Sequence, residues 1–121
     1  MRLDKMVNAT VAALEDIKAR DIVVLDVRRM TAMFDKLIVA TGDSTRQNKA
    51  LADNVREKLK ALGANIHGVE GDDSGEWVLV DLGAVIVHIM QPAVRQYYNL
   101  EELWGGNVAS PALRRTAGAK S

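Results

Sequence analysis

No cysteine occurs among the 121 residues, so neither a disulfide framework nor thiolate chemistry is available, as in a protein of the reducing cytoplasm. No apolar run approaches the length needed to span a bilayer. The opening residues Met1-Arg2-Leu3-Asp4-Lys5 carry an early acid and no apolar stretch, which supports neither a secretion signal nor a transit peptide. The sequon Asn8-Ala9-Thr10 then carries no meaning. Phosphate-binding signatures of the GxxxxGKS/T and GxGxxG kinds are missing as well. Two acids one residue apart on a strand would clamp metal ions at a transferring phosphate, but Asp26 and Asp81 each stand alone on their expected strands. Net charge is lacking too, although its parts are unevenly placed: every Asp and Glu precedes Gly105, whereas Arg114, Arg115 and Lys120 follow it. A mildly acidic body argues against general binding to nucleic acid and suits docking onto a basic protein.

What is present concentrates between Glu70 and Trp104, which contains both tryptophans and both tyrosines. Trp77–Asp81 and Val85–Met90 read as paired strands whose turn places Gly83 where φ must be positive. That turn sets Asp81 opposite Ile86, Leu79 opposite His88 and Trp77 opposite Met90. One face then gathers Val78, Val80, Val87 and Ile89, a core surface. The other gathers Trp77, Leu79, Asp81, Ile86, His88 and Met90. Two readings of this mixed face stay open: a partner-binding surface, or a face covered by a helix of the same chain with Asp81 and His88 paired across the hairpin.

Elsewhere, Leu3, Met6, Val7, Val11, Leu14 and Ile17 recur at helical spacing, predicting an amphipathic helix over 3–19. Residues 22–27 and 34–40 read as strands joined by a short linker, hence antiparallel neighbours. Ser44 with Gln47 forms a capping box opening a helix whose buried stripe is Leu51, Val55, Leu59 and Leu62, and which Gly63 stops. The Gly42-Asp43-Ser44 turn could in principle cradle a phosphate, but the capping box accounts for Ser44 without one. A third strand at 66–69, reached through that helix, runs parallel to 34–40. The acidic loop 70–76 lacks calcium-loop spacing. Pro92 opens one helical turn and Asn99 caps the next, 100–104. The chain divides into a domain over 1–105 and a disordered basic tail over 106–121.

Several runs in order resemble the Iojap-like ribosomal silencing factor family: Leu25-Asp26-Val27, Thr41-Gly42-x-Ser44-x-Arg46, Glu70-Gly71, Trp77-x-x-x-Asp81, Val85-x-Val87-His88 and Arg95-x-x-Tyr98-x-Leu100-Glu101-x-Leu103-Trp104. The resemblance implies an α/β (α+β) fold, a mixed five-stranded sheet flanked by helices with nucleotidyltransferase-like topology but without that chemistry. It also implies a function: binding the large ribosomal subunit through its fourteenth protein where the small subunit would dock, so that translation slows when nutrients are scarce. No catalytic residue, metal, cofactor, membrane or specific nucleic-acid site is expected. Carried onto this chain, Trp77 would be the anchor and Tyr98 a second flat contact. Glu70 and Asp81 would face basic groups, His88 would orient Asp81, and Leu79 and Met90 would complete the surface. Trp104 would pack the terminal helix onto the sheet. Ala84 replaces an aspartate common in the family, and Gly105-Gly106 lengthens the exit after Trp104. Other classes weighed against this one are a nucleotidyltransferase-like enzyme or phosphate binder using Gly42 and Ser44, and an RNA-binding module in which Trp77 alone would stack on bases. An isolated apolar patch also leads us to expect a homodimer when the protein is free.

Overall fold

A computed structural model describes residues 1–105; the expected tail over 106–121 lies outside the described residues. In chain order the elements are α1 (Leu3–Asp16), β1 (Arg20–Asp26), β2 (Lys36–Thr41), α2 (Thr45–Ala61), β3 (Gly68–Glu70), β4 (Trp77–Asp81), β5 (Val85–Met90), α3 (Pro92–Tyr97) and α4 (Leu100–Gly105). The strands form one mixed sheet in the order β1-β2-β5-β4-β3. As expected, β1 and β2 are antiparallel, and the β4–β5 hairpin has the predicted register, with Leu79 opposite His88 and Trp77 opposite Met90. Gly83 takes φ +87° at its turn, closed by Leu82 N–H donating to the Val85 carbonyl at 2.9 Å. β5 then pairs in parallel with β2. β3 runs in the same direction as β2, but it joins the far edge by antiparallel pairing with β4.

Alternation along the strands divides the core in two. Ile22 and Val24, Ile38 and Ala40, Val78 and Val80, and Val87 and Ile89 point to one face, where α1 and α2 cover them. Each buried valine or isoleucine among them contributes about 1.5–3 kcal/mol relative to leaving it in water. Val23 and Leu25, Leu37 and Val39, and Met90 point the other way, against Leu100 of α4. Trp104 packs here on Phe34, ring centroids 5.5 Å apart, so α4 is anchored to the sheet as expected.

α1 is shorter than the predicted 3–19 span. It ends in a pair of bonds, Ala19 N–H to the Leu14 carbonyl and Lys18 N–H to the Glu15 carbonyl, both 3.0 Å, with Lys18 at φ +66°. α2 ends in the same way, with Gly63 at φ +93°. The glycine announced its stop; the lysine in the same conformation did not. At the other end of α2, Ser44 Oγ accepts from Gln47 N–H at 3.0 Å, while Gln47 Oε1 accepts from Asp43 N–H at 2.7 Å. The cap is therefore the predicted one, with its return bond one residue earlier than a capping box places it.

Candidate functional site

α4 covers the second sheet face only over β1, β2 and the end of β5. The remainder, carried by β3, β4 and β5, is part-exposed and presents Glu70, Trp77, Leu79, Asp81, Ile86 and His88 on one side. Trp77 is its centre. The indole Nε1–H donates to His88 Nδ1 at 2.9 Å, and the ring lies 5.0 Å from that of Tyr98. Tyr98 in turn meets Tyr97 edge-on at 4.8 Å. Tyr97, Tyr98, Trp77 and His88 thus form a continuous aromatic run whose tyrosines are 79% and 48% exposed. Because the indole N–H is satisfied within the chain, the run offers flat apolar surface to a visitor. Tyr97 escaped the sequence reading, although its place beside Tyr98 was a visible signal.

Beside the aromatic run lies a groove of about 580 Å³, with walls that include Phe34, Leu79, Ile86 and Trp104 and a rim that includes Glu70 and Asp81. Neither acid forms an ion pair with a described residue. An apolar trough with two carboxylates at its edge suits a basic side chain, which lays its alkyl stem on the trough and its charge at the rim.

Two expectations require correction. Met90 is fully buried in the cluster with Val23, Leu25, Leu37 and Leu100, so it belongs to the core and not to the exposed face. Asp81 and His88 do not pair: Asp81 Oδ1 accepts from Gly83 N–H at 2.8 Å, while His88 is taken by Trp77. The carboxylate closes the turn, and the imidazole orients the indole.

Accepting a hydrogen bond at Nδ1 requires a neutral imidazole with its proton on Nε2. Burial pushes His88 down to about 4, whereas an unfolded chain protonates histidine near pH 6.5. Between these values the unfolded chain binds a proton that the folded chain refuses, so stability is complete above about pH 6.5 and declines as pH falls toward 4. The expected loss is about 3 kcal/mol across that window, read from urea midpoints. His88→Gln should flatten the slope; an equally steep slope in that variant would assign it to other groups.

The Gly42-Asp43-Ser44 turn is occupied by its own chain. Ser44 and Gln47 cap α2, Asp43 pairs with Arg20, and a Cβ at Gly42 would collide with Asn48 Oδ1. Asp26, the other lone strand acid, is bound by Arg28 and Lys36, and its carboxyl is held well below the usual range chiefly by the Arg28 hydrogen bond. Among the described residues, no group of three His, Asp or Glu side chains is arranged to hold a metal ion.

A family model described as "Ribosomal silencing factor during starvation" matches residues 1–120. The chain belongs to that family. Among its relatives, the protein named Ribosomal silencing factor RsfS from Chromobacterium violaceum is 54% identical over 113 residues, 93% of each chain. The protein of the same name from Haemophilus influenzae is 42% identical over 99 residues, covering 82% of this chain and 97% of that one. Protein Iojap of maize chloroplasts is 37% identical over 94 residues, 77% of this chain and 40% of its own length. A crystal structure of a C. violaceum protein, 55% identical, superposes with a TM-score of 0.86 over 91% of this chain and 92% of that one. One from Bacillus halodurans, 34% identical, gives 0.77 over 84% and 94%. The family thus shares the mixed sheet described above.

Proposed function

We propose that this protein silences translation by steric binding. It docks on the large ribosomal subunit through that subunit's fourteenth protein, occupies the surface where the small subunit would sit, and so prevents joining in the cytoplasm when nutrients are scarce. Family membership and the names of its bacterial relatives support the ribosomal role. So does the name of a mouse relative, 32% identical over 101 residues, "Mitochondrial assembly of ribosomal large subunit protein 1". The observation that carries the docking mode is the open aromatic face bordered by Glu70 and Asp81. Such a face suits a protein partner of basic character, since flat aromatic anchors beside acids without an ion-pair partner among the described residues give both affinity and orientation.

The same residues argue for a non-catalytic mechanism. Asp81 is engaged with the turn and Asp26 with two cations on another strand, so these two acids do not converge. Among the described residues lining the groove with His88 there is no serine or threonine nucleophile, and its Nδ1 is committed to Trp77. Purified large subunits preincubated with the protein and then mixed with small subunits should fail to form full ribosomes on a density gradient, with the protein migrating alongside the large subunit. Unimpeded joining, with the protein left at the top, would overturn the proposal.

A further inference from the structure

The turn that carries Tyr97 and Tyr98 has modest apolar support: α3 contains no fully buried residue, Val94 packs half-buried against the second cluster, and Leu100 begins α4 only after the turn has passed. A polar contact adds to that packing. Arg95, 12% exposed at its side chain, sends Nη1 to the Thr41 hydroxyl at 2.8 Å and to the Asp21 carbonyl at 2.5 Å. Its Nε and Nη2 fork onto the two oxygens of Glu101 at 3.2 and 3.0 Å, a carboxylate that is itself 16% exposed. One guanidinium therefore ties together β1, β2 and α4.

The sheet is shaped to receive it. The β1 register breaks between Arg20 and Val23, and Asp21 sits at φ +50°, a conformation that side chains other than glycine rarely hold. A regular ladder would have directed the Asp21 carbonyl to a strand; the bulge frees it for Arg95. On the far side, the Arg95–Glu101 pair closes the chain between them into a loop, and Tyr98 lies inside that loop, its ring tilted against that of Trp77.

We infer that Arg95 is a positioning residue of the docking surface: anchored on the β1 bulge and on Thr41, and forked onto Glu101, it holds Tyr98 in its ring contact with Trp77. The inference rests on the open face being the surface that meets the large subunit. Lysine cannot replace this function, because a single ammonium has neither the planar fork for Glu101 nor a second arm for the sheet.

The test uses the full chain and two readouts. Proton NMR follows the ring-current shift of the Tyr98 ring over Trp77, and binding to purified large subunits is measured for wild type, Arg95→Lys, Tyr98→Ala and the double variant. Arg95→Lys should lose the ring-current shift, weaken binding about tenfold, and add almost nothing in the Tyr98→Ala background, as expected when two residues act through one contact. A retained ring-current shift, or an equal loss in both backgrounds, would overturn the inference. Should Arg95→Lys fail to fold, Thr41→Val and Glu101→Gln each remove part of the anchorage and face the same criteria. If the wild-type protein ignores large subunits, the docking proposal fails on its own, and the NMR readout still decides whether Arg95 places Tyr98.

Discussion

Trp77→Ala should weaken binding to the large ribosomal subunit by more than about 2 kcal/mol while the sheet stays folded, the behaviour of a central aromatic anchor. The indole touches two other members of the surface, Tyr98 by a tilted ring contact and His88 by hydrogen bond, so its removal dismantles the aromatic run as well as deleting area. Truncating a fully buried Trp costs a core about 3–5 kcal/mol. Trp77 is only partly buried at the margin of the second cluster, so the stability loss should fall below that range. Titration with large subunits, alongside far-ultraviolet circular dichroism, separates the outcomes. An unfolded variant would make Trp77 a core residue, and native structure with native affinity would remove it from the interface.

The largest effect on folding is expected from Gly71→Ala, a change of one methyl group. Gly71 lies at φ +81°, and a Cβ there would collide with the backbone carbonyl oxygen of Trp77. The left-handed backbone costs a side chain about 1–2 kcal/mol, and overpacking against an unyielding neighbour about 1–3 kcal/mol more. A total of about 2–5 kcal/mol should appear as a lower urea midpoint. Two alanine substitutions calibrate it. At Gly63, φ +93°, nothing lies within 4 Å of the added Cβ, so only the backbone term remains; at Gly68 there is open space and no positive φ. A Gly71→Ala protein as stable as Gly68→Ala would show that the loop before Trp77 yields freely, and that this glycine does not help place the indole.

Much of this architecture was legible because it is local. The hairpin register followed from Gly83 and a period of two, and the start of α2 from Ser44 and Gln47, since each depends on residues only a few positions apart. Burial was less legible. Alternation placed Met90 correctly on the face of Trp77, but only the docking of Leu100, distant in contact and set by tertiary packing, turns that end of the strand into core. The error over His88 has a similar origin. Asp81 and Trp77 are both diagonal neighbours of His88 across the hairpin, and the turn amide of Gly83 holds the carboxylate. Arg95 could be read as part of a family pattern, yet its partners lie on two strands more than fifty residues earlier in the chain and on the helix beyond, with the Asp21 carbonyl offered by a bulge that no residue type announces.

An open sheet ends in two rows of unpaired amides and carbonyls, and either row can template a foreign strand and seed aggregation. Here one margin, β1, breaks its regular course between Arg20 and Val23 and carries charge near both ends, at Arg20, Asp21 and Asp26. The opposite margin, β3, is three residues long. Neither offers a flat, continuous template. Association is thereby steered away from backbone ladders, which grow without limit, and toward the side-chain face, where a single contact saturates and stops.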